Sequence, residues 1–352
     1  MRVLVCGAGA VGSYMVAYLA LARHDVTLLT YHGPVGSIGA LSLTLNGAAG
    51  KRTILNLRVA ETFQEALEQA QPYEAFIFTR KAFETVGAIL EIERIGLEPP
   101  PILCLQHGVG NEDSLIDAFG QQQVASGVLL TPVSLSEPSV VVEGHPYGLA
   151  LALDSPVALL FVEAFRSTAL AVTTTRSAAS LKWSKLLVDM IANATAASLD
   201  IAPIDTLSDA RLLDVELEAL REAQAILRLQ GIEVINLPGM SIRRVMRAVE
   251  RLPGPLARPL LSRLVRRRQI GSKSSLRADI EQGRGQTEVA WLNGAVVQAA
   301  EGMRRLAPIN HALALIVSDI ASGRIAWDVY RHKPDVLLTA VRMTQGPSQY
   351  LA

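Results

Sequence analysis

The feature that most limits what this chain can become is its beginning. An apolar, β-branched run, Arg2-Val3-Leu4-Val5-Cys6, passes directly into Gly7-Ala8-Gly9-Ala10-Val11-Gly12 and on into an apolar segment reaching Ala22. A strand, a G-x-G-x-x-G turn and a helix in that order make the βα half of a dinucleotide-binding unit. Gly7 permits the tight turn, Gly9 lets the backbone approach a pyrophosphate, and Gly12 lets the helix pack closely on the strand. The helix start then offers N–H groups to the phosphates. Glycines also gather in turns for backbone reasons alone. Here a second strand, expected over residues 25–29, follows the helix, and strand, loop and helix together match the binding unit better than an isolated turn.

With 352 residues, half of them apolar, the chain is long enough to organise two cores. Lys plus Arg and Asp plus Glu number 33 each, which argues against a whole-protein attraction to nucleic acid or an anionic membrane. The two cysteines, Cys6 and Cys104, sit in strand-like apolar runs with neither metal-ligand spacing nor a disulfide framework, so a reducing cytoplasm is the expected compartment. The six histidines are scattered, and no metal site is expected. Glycines interrupt the first apolar run too early for a signal peptide, and no apolar stretch reaches the ~18 residues of a membrane span.

Strand-like runs over 75–79, 102–105, 124–133, 140–143 and 149–153 alternate with helical patterns, predicting a largely parallel sheet with helices on its faces and some antiparallel pairing at the later strands. From about Arg176 helical spacing dominates, over 178–199, 208–229, 242–252, 256–268, 273–282, 287–304 and 309–322. The expected division is a Rossmann-type α/β domain over 1–175 and an all-helical domain over 176–352.

Two groups in the second half carry candidate chemistry. Lys185, Asp189 and Asn193 recur every four residues and would share one helix face. Trp183, Leu186, Leu187, Val188, Met190 and Ile191 would surround them, leaving Lys185 partly desolvated and suited to proton donation. An exposed polar stripe with a Lys/Asp pair is the more ordinary use of that spacing. The second group runs from Ser274-Ser275 through Asp279 to Thr287-Glu288. Capping accounts for most of it, with serines starting one helix and Thr287 the next. The alternative is that Ser275 holds a substrate carboxylate and Glu288 orients the substrate or the lysine.

Taken in order, several segments resemble the ketopantoate reductase family, also called 2-dehydropantoate 2-reductases. They are the N-terminal glycine loop, Phe78-Thr79-Arg80-Lys81-Ala82-Phe83, Leu105-Gln106-His107-Gly108-Val109-Gly110-Asn111-Glu112, Trp183-Ser184-Lys185-Leu186-Leu187, Ser274 to Asp279, and Thr287 to Gly294. Ala307-Pro308-Ile309-Asn310 extends the likeness. The resemblance implies a Rossmann-type domain followed by a helical domain of the 6-phosphogluconate-dehydrogenase-like type. It also implies hydride transfer from NADPH to the ketone of a 2-oxo acid. Lys185 would be the general acid; Glu288 would hold the substrate hydroxyl, Ser275 its carboxylate, and Asp189 and Asn193 would line the substrate. The loop residues Gly7, Ala8, Gly9, Ala10, Val11 and Gly12 would hold the pyrophosphate, with Lys81 and His107 beside the nicotinamide ribose and Tyr31 against the adenine. The partner implied is a small-molecule 2-oxo acid, and a homodimer is allowed.

Three positions depart from the family pattern. His107 replaces an asparagine, Asp189 replaces the second asparagine of the lysine helix, and Leu29-Thr30-Tyr31-His32-Gly33 lacks the arginine that clamps a 2′-phosphate. No Asp or Glu stands there to hold a 2′-hydroxyl, which favours NADP over NAD. The first two departures favour another 2-oxo acid or an imine as substrate. A nucleotide-binding regulator without turnover, holding a partner through an Arg-rich segment, is the rival of a different class, and the presence of both Lys185 and Glu288 speaks against it. Between Arg243 and Lys273, ten basic residues face one acid, Glu250. A solvated helical hairpin broken by Pro253 and Pro255 explains this more simply than a surface for an anionic partner.

Overall fold

The computed structural model describes residues 1–30, 41–47, 50–137, 140–267 and 274–344. Tyr31, His32 and the basic residues Arg268 and Lys273 lie outside these segments. The chain divides into two compact units, one comprising Met1–Lys182 with Leu237–Gly239, the other Trp183–Asn236 with Met240–Ala352.

In the first unit the elements run β1 (Arg2–Cys6), α1 (Ala10–Leu21), β2 (Asp25–Leu29), β3 (Leu41–Gly47), β4 (Gly50–Ala60), α2 (Phe63–Gln69), β5 (Ala75–Phe78), α3 (Thr85–Arg94), β6 (Ile102–Cys104), α4 (Asn111–Phe119), β7 (Val124–Leu129), β8 (Val133–Glu137), β9 (Val140–Glu143), β10 (Leu149–Ala152), α5 (Ala158–Arg166) and β11 (Val172–Thr175). They form one sheet ordered β11-β10-β7-β6-β5-β1-β2-β4-β3-β9-β8. Its central six strands are parallel. Numbered by their own succession, these strands have the order 3-2-1-4-5-6, the doubly wound Rossmann arrangement. The antiparallel pairing expected at the later strands is present between β7 and β10 and between β8 and β9, and a further antiparallel pair, β3 with β4, stands at the other flank.

Period-two alternation sends the central strands into two cores. Val3, Val5, Ile77 and Leu103 pack on one face with Tyr14, Met15, Phe161 and Phe165 of α1 and α5. Leu4, Cys6, Phe76 and Phe78 pack on the other with Phe63, Ile89, Ile92 and Leu115 of α2, α3 and α4. The single run expected over 124–133 is two strands, because Pro132 supplies no N–H for a ladder where the chain leaves β7. One return to this unit comes late in the sequence: Gly239, at φ 72°, packs its backbone against the ring of Tyr147, where any side chain would collide.

α6 (Ala178–Met190) crosses the division, and the second unit continues with α7 (Ala194–Leu199), α8 (Ala210–Leu229), α9 (Ile242–Arg251), α10 (Gly254–Arg267), α11 (Ser275–Glu281), α12 (Asn293–Gly302), α13 (Pro308–Ala321) and α14 (Pro334–Thr344). The helix expected over 178–199 breaks at Ala192, which adopts φ 56°. The one expected over 287–304 opens instead as a 3-10 turn, Glu288–Trp291, capped by Thr287, whose side chain accepts from Val289 N. Glu222 of α8 starts α13 by accepting from Ile309 N (2.9 Å), Asn310 N (3.0 Å) and Asn310 Nδ2 (2.7 Å). That is the physical basis of the Pro308-Ile309-Asn310 segment.

Candidate active site

The strand order reverses between β1 and β5, and it is outside the carboxyl ends of the strands at such a point that doubly wound sheets take ligands; β6 is the next strand along. Gly7, at φ 128°, donates its N–H to Leu29 O. A Cβ at Gly7 would stand 2.8 Å from Arg80 N, and one at Gly12 would collide with the Gly7 carbonyl. Both glycines are therefore fixed by backbone approach. Thr79 locks the crossing by donating from Oγ1 to Gly7 O at 3.0 Å. Gly9 differs: a Cβ there meets nothing within 4 Å. It is the N-cap of α1, brings no side-chain acceptor, and the first turn of α1 holds no acid. Gly9, between the half-buried Ala8 and Ala10, thus leaves open space at the positive end of a twelve-residue helix, a cradle that fits a pyrophosphate.

Lys81 heads the 3-10 turn Ala82–Glu84 just after β5. His107 follows β6 and is half-buried, and its carbonyl accepts from Asn111 Nδ2 at 2.8 Å. Gln106 donates from Nε2 to Arg80 O and to Thr85 Oγ1 (2.8 Å), tying the His107 loop to the Lys81 segment. The Gly loop, Lys81 and His107 therefore lie at the carboxyl ends of neighbouring strands of one sheet.

In the second unit Lys185 and Asp189 are both buried, with Lys185 Nζ 2.5 Å and 2.6 Å from the two carboxylate oxygens. The exposed stripe that the spacing allowed is excluded. Asn193 stays with this pair despite the helix break: its Nδ2 donates to Asp189 O (3.0 Å) and to Ser275 Oγ (3.1 Å). Ser274 takes the capping role by accepting from Arg277 N, which leaves the Ser275 hydroxyl facing Asn193. Glu288 is buried in the same unit on its Thr287-capped turn.

The break that keeps Asn193 in place depends on a residue that belongs to none of the motifs above. Glu216 of α8 accepts from Ala192 N at 2.8 Å and from Thr195 Oγ1 at 2.5 Å. Burial pushes its carboxyl up to about 7. It lies on the apolar stripe Leu213, Glu216, Leu220, Ala223, Leu227, so a charge at a core position was the available signal. An unfolded chain releases this proton near 4.5 and the folded chain near 7. Over that window the folded state holds more proton, and stability falls as pH rises, by on the order of 3 kcal/mol. Glu216→Gln, whose amide can donate to Thr195 Oγ1 and accept from Ala192 N, is therefore expected to gain stability relative to the parent between pH 5 and pH 8. Denaturant unfolding at the two pH values measures it; equal slopes with pH would mean that Glu216 does not titrate there.

Residues 3–150 match the family model described as Ketopantoate reductase PanE/ApbA, and residues 178–321 match the one described as Ketopantoate reductase PanE/ApbA C terminal. The chain is 26% identical over 322 residues to the 2-dehydropantoate 2-reductase of Pyrococcus horikoshii, covering 90% of this chain and 96% of that one. A second relative, the 2-dehydropantoate 2-reductase of Halobacterium salinarum, is 27% identical over 328 residues, with 90% and 98% covered. Among solved structures, the PanE/ApbA family ketopantoate reductase of Ralstonia eutropha shares the fold with a TM-score of 0.72 at 21% identity, over 92% of this chain and 99% of that one. D-mandelate dehydrogenase, solved with NADH and anilino(oxo)acetate, does so with a TM-score of 0.70 at 16% identity over the same shares. The two family models together span most of both units, and the chain belongs to the ketopantoate reductase family of oxidoreductases.

Proposed function

We propose that this protein reduces 2-dehydropantoate to pantoate with NADPH, the reduction that serves pantothenate and coenzyme A synthesis. The observation that carries the reading is a buried lysine, Lys185, joined through Asp189 and Asn193 to the hydroxyl of Ser275, in a chain whose first unit builds a dinucleotide cradle. When bound, the nicotinamide supplies the hydride. Lys185 Nζ donates to the ketone oxygen, stabilises the charge that develops there and delivers the proton. Asp189 aims the ammonium group. Ser275, oriented by Asn193, takes the substrate carboxylate, and Glu288 takes the substrate hydroxyl. The Gly7–Gly12 loop holds the pyrophosphate, and Lys81 and His107 flank the ribose. NADPH is preferred over NADH because the sequence offers no acid from Thr30 to Ala40 to bind a free 2′-hydroxyl. The assembly proposed is a homodimer; a staphylococcal ketopantoate reductase of similar fold is described as dimeric.

A second reading keeps the chemistry and changes the substrate to another 2-oxo acid or an imine. Asp189 favours it, since a lysine already neutralised by a carboxylate at 2.5 Å attracts an anionic substrate less than a lone ammonium does. Loss of the reduced nicotinamide's near-ultraviolet absorbance, followed with ketopantoate beside branched and aryl 2-oxo acids and with NADPH beside NADH, separates the two. The fastest turnover is expected with ketopantoate and NADPH. Faster turnover of another 2-oxo acid moves the assignment to the second reading, and nucleotide binding without any turnover moves it to a regulator.

A further inference from the structure

Lys182 lies one helical turn before Lys185 and belongs to the other unit. It is buried, 4% exposed, and its Nζ stands 2.6 Å from Glu112 Oε1 and donates to Gln106 O at 2.9 Å. Glu112, itself 8% exposed, sits in the first turn of α4, directly after the His107 loop. The loop's backbone takes left-handed values at Gly108 (φ 83°) and Gly110 (φ 97°). Its successive carbonyls at Gln106 and His107 are both claimed by side chains, from Lys182 and Asn111. Neither bond belongs to a helix or sheet ladder, so the loop's shape depends on these donors.

We infer that the buried Lys182–Glu112 pair is a positioning device that holds the His107 loop in the form that receives the nicotinamide end of the cofactor, an inference that rests on the cofactor site proposed above. Stability alone does not explain the pair. A buried ion pair gives little or nothing over a well-packed apolar pair of the same volume, because desolvation offsets the attraction. What an apolar side chain at residue 182 cannot do is donate to Gln106 O. Without that donor the carbonyl turns away to find water, and the half-buried His107 beside it moves too. Lys182 touches neither substrate nor proton in this scheme; Lys185, three residues on, does the chemistry.

The test compares the parent with Lys182→Met and with Lys182→Met/Glu112→Gln. The double variant leaves no uncompensated charge, so it keeps the question open to measurement if the single variant fails to fold. Two probes are titrated calorimetrically: NADPH, and 2′-phospho-ADP-ribose, which lacks the nicotinamide. If the released loop spends about a tenth of its time in the receiving form, NADPH affinity falls about tenfold. The affinity for 2′-phospho-ADP-ribose is expected to stay within about twofold of the parent's. In turnover, KM for NADPH rises while kcat at saturating NADPH stays within about threefold. A parallel loss of both probes, or NADPH affinity within about twofold of the parent's in the folded double variant, overturns the inference. Failure of the parent itself to bind either probe is a different result and overturns the cofactor site on which the inference stands.

Discussion

Replacing Lys185 by methionine is expected to lower kcat at least about 100-fold, a loss of about 2.7 kcal/mol of transition-state stabilisation, while nucleotide affinity stays within about twofold. The expectation has two parts, because Lys185 is a partner as well as an acid. Removing it takes the ammonium away from the buried Asp189, which is 8% exposed, and breaking a buried pair from one side costs about 3–5 kcal/mol of stability. Lys185→Met alone can therefore lose activity by losing fold. Lys185→Met/Asp189→Asn removes both charges and keeps an amide where Asn193 needs its neighbour's backbone carbonyl undisturbed. The double variant is expected to melt close to the parent and to be equally inactive. A folded double variant turning over within about threefold of the parent removes Lys185 as the proton donor.

The second large effect separates two glycines of one loop. Gly12→Ala drives a methyl group into the Gly7 carbonyl and to 2.6 Å from Thr79 Oγ1, and neither backbone can retreat without moving β1 or β5. Overpacking against backbone is expected to cost about 3 kcal/mol, read as a lowered unfolding midpoint with or without nucleotide. Gly9→Ala has open space around its new methyl and should unfold within about 1 kcal/mol of the parent. Its NADPH affinity is nonetheless expected to drop at least about tenfold, because the methyl fills the space through which a pyrophosphate reaches the helix start. Unchanged NADPH binding in Gly9→Ala would move the phosphates away from α1.

Much of the first unit was legible because its signals are local. A glycine loop between a strand and a helix has one common use, and buried parallel strands such as Ala75–Phe78 and Ile102–Cys104 are short apolar runs that declare themselves. β3 and β4 were not expected. β3 does alternate, Leu41-Ser42-Leu43-Thr44-Leu45-Asn46, a period-two signal that was there to be read, whereas β4 opens on Gly, Lys and Arg and is interrupted by Asn56 at φ 57°. In the second unit the four-residue recurrence of Lys185, Asp189 and Asn193 groups residues that the structure also brings together, but for an incomplete reason. An unbroken helix was expected to align them, whereas Asn193 is held by a left-handed Ala192 and a buried Glu216 from a distant helix. A tertiary contact of that kind leaves no periodic trace. Lys182 was passed over for the opposite reason: in a helix already carrying Lys185, a second lysine looks like an ordinary surface residue, and only its neighbours Gln106 and Glu112 distinguish it.

The return of Leu237–Gly239 to the first unit bears on how the protein emerges during synthesis. When Lys182 has been made, the sheet has all its strands but Tyr147 still lacks the backbone of Gly239 that packs on its ring. At ribosomal speeds of about 5–20 residues per second, that missing piece arrives roughly 3–11 s later. During the interval the nascent Rossmann unit is whole in its hydrogen-bond ladders yet uncovered at one aromatic side chain, so its completion is timed by translation of the helices that follow it.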